Sequence, residues 1–263
     1  MIGFVGCGNM AHAMMHGMVT SGMVKAEDIL TSNRSKGKLD AIQQELGVGI
    51  TQDNREVARK SDILVLAVKP QFYAQVMDEI KDDLKRDVLF VSIAPGWSLE
   101  RMENQLGFPA AIVRTMPNTP AMVGEGMTAL CPNARVSEQQ LQQLELLFSS
   151  FGRTTVVAEN LMDAIPAVSG SSPAYVFMFI EAMADAAVMD GIPRAQAYQL
   201  AAQAVLGSAR MVLETGMHPG ALKDMVCSPA GTTIQAVRVL EEKGMRSAVI
   251  EAMQACTQKC KGM

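Results

Sequence analysis

Two hydrophobic patterns divide the chain. In the first part, short β-rich runs alternate with helical patterns, as in βαβ units that form a parallel sheet covered on both faces. The predicted strands are residues 2–5, 29–31, 63–67, 89–93, 111–115, 127–130 and 154–157. The predicted helices between them are residues 10–21, 38–46, 72–80, 99–106 and 138–149. This part of the chain therefore predicts a doubly wound α/β sheet.

The β signal disappears after about Leu161, and long segments rich in Ala, Met and Leu follow. These predicted helices are residues 173–189, 194–214, 232–242 and 246–260, separated by Gly- and Pro-containing turns. Residues 182–188 are apolar nearly all the way round, which predicts a helix buried on several faces. The chain has 21 methionines, so either a second subunit or adaptable packing within one subunit covers this surface.

Composition narrows the classes of partner. The net charge is −4 and no long Lys/Arg run occurs, which disfavours nucleic acid or an anionic membrane as a partner. No apolar run reaches the roughly 18 residues needed to span a bilayer, and residues 1–5 are predicted as a strand, so we expect a cytoplasmic protein. Five scattered cysteines predict reduced thiols. The pairs His12/His16 and Cys256/Cys260 lack further ligands, so we expect no metal site.

A glycine-rich turn directly follows the first predicted strand and opens a helix. Its pattern is Gly-x-Gly-x-x-Ala, a dinucleotide fingerprint. Gly6 allows the tight turn, Gly8 omits a side chain that would block a pyrophosphate, and Ala11 lets helix and strand pack closely. A structural glycine turn is the alternative. We expect a Rossmann-type domain that binds the cofactor through Gly6, Cys7, Gly8, Asn9, Met10 and Ala11.

The end of the second predicted strand indicates which cofactor is bound. An NAD enzyme usually has a carboxylate there, which accepts hydrogen bonds from the ribose 2′-hydroxyl. The segment 31–35 has none, whereas Ser32, Asn33 and Arg34 offer donors suited to a 2′-phosphate. We expect NADPH, with NADH also admissible; an ordinary polar turn is the alternative.

Three further loops, 67–71, 92–96 and 116–120, follow predicted strands at the edge where a cofactor crosses a doubly wound sheet. Prolines that simply end the strands are the alternative explanation. Asn118 and the nearby backbone could hold the nicotinamide. The cofactor contacts expected outside the fingerprint and the second strand are Asn54, Ala67, Val68, Lys69, Pro70, Ala94 and Asn118.

A small, hydroxyl-rich loop, residues 224–234, runs into an amphipathic pattern. Pro229 cannot lie inside a helix, and the first-turn N–H groups after Gly231 have no intrahelical partner. A carboxylate would satisfy them. Thr232 and Thr233 add hydroxyls, and Thr233 could contact a nitrogen beside the carboxylate. A plain Pro-initiated helix is the alternative.

With these motifs in this order and spacing, the chain resembles the pyrroline-5-carboxylate reductase family. The resemblance covers essentially all residues, and residues 222–241 and 169–175 are among the stretches that carry it. It implies NAD(P)H-dependent reduction of 1-pyrroline-5-carboxylate to L-proline. It also implies an α/β Rossmann-type doubly wound parallel sheet domain, residues 1–157, followed by an all-α helical dimerisation domain, residues 158–263.

The resemblance also assigns roles. Ser228, Gly231, Thr232 and Thr233 would hold the substrate carboxylate, and Thr233 would act as the catalytic residue that orients the iminium N–H. Glu159 matches a family position near the substrate and would balance the iminium charge, with a surface cap as the alternative. The chain departs from many relatives at Met225, Ala230 and Thr232, where Asn, Gly and Ala often occur.

Two rival functions remain at this stage. A β-hydroxyacid dehydrogenase would need a lysine base on the first long helix, and residues 170–181 contain none. A non-catalytic NADPH sensor would not need the loop at residues 228–233. We therefore expect a small-molecule reductase that self-associates through its helical domain.

Overall fold

An eight-stranded sheet organises the first part of the computed structural model, which describes residues 1–262. The strands are β1 (Ile2–Val5), β2 (Ile29–Ser32), β3 (Gly49–Thr51), β4 (Ile63–Leu66), β5 (Leu89–Ser92), β6 (Ala111–Met116), β7 (Gly126–Pro132) and β8 (Gly152–Val156). Their spatial order is β3-β2-β1-β4-β5-β6-β7-β8. It contains the 3-2-1-4-5-6 order of the Rossmann fold, so the predicted fold class is confirmed.

The sheet is not parallel throughout. Strands β1 to β6 run parallel, but β7 pairs antiparallel with β6, and β8 pairs parallel with β7. A parallel connection needs a crossover of a dozen or more residues, and only residues 117–125 join β6 to β7. The predicted parallel sheet therefore comprises β1 to β6, and β7 and β8 extend it in the opposite direction.

Eleven α-helices accompany the sheet within residues 1–262. They are α1 (Asn9–Thr20), α2 (Lys36–Leu46), α3 (Asn54–Lys60), α4 (Tyr73–Ile80), α5 (Leu99–Leu106), α6 (Glu138–Phe148), α7 (Ser172–Met189), α8 (Arg194–Thr215), α9 (Pro219–Val226), α10 (Thr232–Glu242) and α11 (Met245–Lys261). The sequence pattern missed β3 and α3, which have 3 and 7 residues, because so few residues show no clear period. It also missed α9, whose last residues, 224–226, it assigned to the hydroxyl-rich loop. The hydroxyl-rich loop consequently starts at Cys227, after α9.

The sheet buries side chains on both faces. Phe4 and Met14 belong to one hydrophobic cluster, whereas Val5 and Phe90 belong to another. Adjacent residues of β1 enter different clusters because side chains of a strand alternate between the two faces. The core therefore places the ends of the central strands, and the loops that follow them, on a rigid support.

The chain forms two compact units. The first contains residues 1–171 together with the segment from Cys256 onward, and the second contains Ser172–Ala255. Helix α11 thus begins in the second unit and ends in the first. Within the first unit, the thiol of Cys256 lies 3.5 Å from the Ser171 hydroxyl. The predicted domain boundary between residues 157 and 158 stays a prediction.

The helices of the second unit expose many apolar side chains. Phe177, Met178, Leu200 and Leu213 are each at least 60% exposed, and Ala184 is the buried residue of α7. Packing within one subunit, the alternative interpretation, therefore does not cover this surface, and its burial against a second subunit stays a prediction. The helical stretch Pro166–Met189 is long and apolar enough to cross a membrane, by length and composition only.

Candidate functional site

A cleft of about 430 Å³ lies in the first unit, where β1, β2 and β4 end. It gathers ten of the predicted cofactor residues: Gly6, Cys7, Gly8, Ser32, Asn33, Arg34, Asn54, Ala67, Val68 and Lys69. Six further lining residues are not among the predicted contacts, although Gln71 belongs to the predicted cofactor loop 67–71: Lys38, Gln71, Phe72, Gln75, Val76 and Glu79. The fingerprint, the second-strand motif and the first of the three loops thus converge on one surface.

The glycine turn leaves room for a ligand. Gly6 has φ +105°, and a Cβ atom there would lie 2.7 Å from the carbonyl oxygen of Ala67. A Cβ atom on Gly8 would meet no other described atom within 4 Å. Gly8 precedes α1, and no side chain within residues 1–262 caps that helix. The first-turn N–H groups of α1 are therefore available to an anion such as a pyrophosphate.

Cations and hydrogen-bonding side chains also line the cleft. The Arg34 guanidinium lies 4.9 Å from the ring centroid of Phe72, and Lys38 lies nearby in the first turn of α2. Arginine forms paired hydrogen bonds with phosphate oxygens, whereas lysine adds a mobile positive charge. This donor set, together with the open side of Gly8, fits NADPH. Lys38 could have been found from the sequence, since it closely follows the second-strand motif.

The other predicted cofactor residues lie outside the lining of this cleft: Asn9, Met10, Ala11, Pro70, Ala94 and Asn118. The side chain of Asn118 is engaged at both ends. Its Oδ1 accepts a hydrogen bond from the Met127 N–H at 2.8 Å, and its Nδ2 donates to the Ser169 carbonyl at 3.0 Å. Asn118 therefore ties the loop after β6 to strand β7 and to the segment around Ser169, and its contact with the nicotinamide stays a prediction.

Tyr73 fixes the strand ends beside the cleft. Its hydroxyl donates to the Leu66 carbonyl at 2.7 Å and accepts a hydrogen bond from the Ile93 N–H at 3.3 Å. The side chain is fully buried, and this desolvation raises the pKa of Tyr73 to about 12. The phenol thus stays neutral and joins the ends of β4 and β5, from which two of the predicted cofactor loops start.

Glu159 has a structural position in the first unit. Its Oε1 accepts a hydrogen bond from the N–H of Leu99, the first residue of α5, at 2.6 Å. The same oxygen lies 3.7 Å from the guanidinium of buried Arg114, which also pairs with Asp163 at 2.7 Å. Glu159 therefore caps a helix, as the alternative interpretation of the sequence proposed. Its role in balancing a substrate charge stays a prediction.

The hydroxyl-rich loop lies in the second unit. Ala230 has φ +59° and is the single non-glycine residue with positive φ within residues 1–262. The N–H of Gly231 donates to the Ser228 carbonyl at 3.0 Å, and a Cβ atom on Gly231 would collide with the Ser228 hydroxyl. Helix α10 then begins at Thr232, and no side chain of the described residues caps it. The free N–H groups and the threonine hydroxyls form a small anion cradle.

This fold and cleft define a Rossmann-type oxidoreductase dependent on NADP. Residues 1–96 match the family described as "NADP oxidoreductase coenzyme F420-dependent". Residues 159–263 match the family described as "Pyrroline-5-carboxylate reductase dimerisation".

Full-length relatives specify the family. Pyrroline-5-carboxylate reductase of Escherichia coli (strain K12) is 54% identical over 258 residues, covering 98% of this chain and 96% of the relative. The structure of the Coxiella burnetii pyrroline-5-carboxylate reductase is 40% identical with a TM-score of 0.92, and covers 99% of this chain and 97% of that one. The Plasmodium falciparum pyrroline carboxylate reductase, solved with NADP bound, is 34% identical with a TM-score of 0.90, at the same coverage. The chain belongs to the pyrroline-5-carboxylate reductase family, and the resemblance drawn from the sequence is confirmed.

Proposed function

We propose that this protein reduces 1-pyrroline-5-carboxylate to L-proline with NADPH, the final step of proline biosynthesis. The observation that carries the proposal is that one chain combines a cleft suited to NADPH with an uncapped helix start suited to a carboxylate. Reduction of a cyclic imine that carries a carboxylate needs a hydride donor and a site that binds the carboxylate. Full-length membership of the family supports the same reaction.

The cleft would hold the cofactor at three points. The start of α1 takes the pyrophosphate, Arg34 and Lys38 take the 2′-phosphate, and the loop at Val68 and Lys69 lies along its path. When bound, NADPH supplies the hydride. NADH is accepted less well, because without the phosphate it makes no ion pair with these cations.

The cradle at α10 would hold the substrate. The N–H groups after Gly231 and the hydroxyls of Ser228 and Thr232 bind its carboxylate, which fixes the orientation of the imine. The Thr233 hydroxyl accepts the hydrogen bond of the protonated imine N–H. The carbon of a protonated imine is already electrophilic, so the protein needs only to orient it. Thr233 is therefore the catalytic residue that we propose.

A second copy of the chain would cover the exposed helices. Removing large apolar side chains from water is favourable by about 25 cal/mol per Å² of apolar area, which offsets the entropic cost of association. The exposed faces of α7 and α8 carry such residues, and the dimerisation family covers both helices. We propose a cytoplasmic homodimer that associates through its helical domain, with the domains divided at residues 157 and 158.

Purified protein should oxidise NADPH when 1-pyrroline-5-carboxylate is added and should not act on 3-hydroxy acids. Thr233→Ala should lower kcat/KM by about tenfold or more, because a hydrogen bond to a charged group is lost. Thr233→Ser keeps the hydroxyl and is the matched control. Cofactor binding without turnover would indicate a sensor instead, and unchanged kinetics in Thr233→Ala would remove Thr233 from the mechanism.

A further inference from the structure

A carboxylate lies in the cleft that we assign to the cofactor. Among the described residues that line this cleft, Glu79 is the one carboxylate. It comes from α4, on a different part of the chain from the second-strand motif. A negative side chain opposes a phosphate dianion, so its presence in the same cleft as Arg34 and Lys38 needs an explanation.

Glu79 is linked to the strand motif by two hydrogen bonds. The Ser32 hydroxyl donates to Oδ1 of Asn54 at 2.7 Å, and Nδ2 of Asn54 donates to Oε2 of Glu79 at 3.1 Å. An ionised carboxylate can only accept hydrogen bonds. Asn54 must therefore turn its amide nitrogen toward Glu79 and its oxygen toward Ser32. As a result, the Ser32 hydroxyl donates its proton to Asn54 and not to a bound phosphate.

We propose that Glu79 is a specificity-determining residue that lowers the preference of the cleft for a 2′-phosphate over a 2′-hydroxyl. It does so in two ways that act in the same direction. Its charge repels the phosphate, and its hydrogen bond to Asn54 keeps the Ser32 proton from the phosphate oxygens. Glu79 thus supplies, from a distant helix, the carboxylate that residues 31–35 lack. The inference rests on the proposed assignment of the cleft as the cofactor site.

Glu79→Gln isolates this role, because it keeps the side-chain size and removes the charge. The new amide can donate to Oδ1 of Asn54, so Asn54 can turn its amide nitrogen toward Ser32 and free the Ser32 proton. Asp78→Asn is the matched control. It removes the same charge from the neighbouring residue of α4, which pairs with Lys81 at 2.9 Å and is not among the residues lining the cleft.

The experiment measures dissociation constants by calorimetry for adenosine 2′,5′-bisphosphate and for adenosine 5′-monophosphate. These two probes differ only in the 2′-phosphate and need no turnover. We expect Glu79→Gln to raise the affinity ratio in favour of the bisphosphate by about three- to tenfold, since a like charge near a dianion is removed. Asp78→Asn should leave the ratio at the wild-type value, and both variants should unfold near the wild-type temperature.

Ser32→Ala tests the second effect, in which the hydrogen bond from Asn54 to Glu79 keeps the Ser32 proton from the phosphate. In the wild-type background it should change the ratio little, because the Ser32 proton is already committed. In the Glu79→Gln background it should remove part of the gain, so the two substitutions are non-additive. Additive effects of the two substitutions would overturn this arm of the proposal.

Two further results would overturn the proposal, and they have different meanings. If wild type binds both probes in competition with NADPH but Glu79→Gln leaves their ratio unchanged, Glu79 has no role in specificity and the cofactor site stands. If the probes bind but do not compete with NADPH, or neither probe binds, the cofactor assignment of the cleft fails as well.

Discussion

The two glycines of the fingerprint should respond differently to the same substitution. Gly8 has φ −89° and ψ 178°, which alanine adopts freely, and its Cβ would meet no other described atom within 4 Å. We expect Gly8→Ala to change the free energy of unfolding by no more than about 1 kcal/mol, the typical effect of a helix-cap substitution. Its methyl group would nevertheless fill the space assigned to the pyrophosphate. NADPH affinity should therefore fall by about tenfold to a hundredfold, or about 1.4 to 2.8 kcal/mol.

Gly6→Ala should weaken both folding and binding. Its φ of +105° lies where an L-residue is strained by about 1 to 2 kcal/mol. Its Cβ would also lie 2.7 Å from the Ala67 carbonyl oxygen, which is backbone and cannot rotate away. Overpacking of this kind costs about 1 to 3 kcal/mol. The sum is about 2 to 5 kcal/mol, a large share of a typical stability of about 5 to 15 kcal/mol.

Urea unfolding followed by circular dichroism, without cofactor, measures the free energy of unfolding of each variant. Fluorescence titration with NADPH measures its cofactor affinity. Gly22→Ala is the control. Gly22 has φ +72° after the end of α1, but its Cβ would meet no described atom within 4 Å, so it reports strain without collision. Wild-type NADPH affinity in Gly8→Ala would refute the placement of the pyrophosphate. Wild-type stability in Gly6→Ala would refute the close-packing argument.

Three other substitutions test the scaffold. Arg114→Met should destabilise the protein by about 1 to 2 kcal/mol in urea unfolding, because it removes the hydrogen bond to Asp163, whose partly exposed carboxylate water can then solvate; a change below about 0.5 kcal/mol, the typical scatter of surface substitutions, would show that the pair contributes little. Ala230→Gly should raise stability by up to about 1 kcal/mol, since glycine adopts a φ of +59° without strain, and a lower stability would contradict this. Tyr73→Phe should cost about 1 kcal/mol through the lost hydrogen bond to Leu66. Because the folded-state pKa of Tyr73 is raised from 10.0 to about 12, its contribution is present below pH 10 and is lost as pH rises toward 12. The Phe variant should show a smaller alkaline loss of stability, and an equal loss would rule out Tyr73 as its source.

The sequence predicted those features that local patterns encode. Apolar runs bounded by turns marked the seven longer strands, and the glycine spacing marked the turn before α1. The reversed direction of β7 follows instead from the length of the connection after β6, an argument that strand patterns alone do not contain. Strand β3 and helix α3 were not predicted because each is too short to show a hydrophobic period.

The candidate site shows the same division. Gly6, Gly8 and Arg34 could be predicted because each belongs to a motif adjacent to a strand. Glu79 could not, since its position in the cleft depends on how α4 packs against the sheet. Asn118 and Glu159 illustrate the opposite limit. Their residue types suit a ligand contact as well as a structural one. Only the observed hydrogen bonds show that Asn118 holds the loop after β6 and that Glu159 holds the start of α5.

The first unit is discontinuous in the chain, and this has a consequence for biosynthesis. The ribosome makes residues 1–171 first, then all of Ser172–Ala255, and only afterwards the segment from Cys256 that returns to the first unit. A nascent chain that has emerged only as far as residue 255 still lacks the last part of α11. The first unit is therefore completed late, after the second unit with its exposed apolar side chains has already been synthesised.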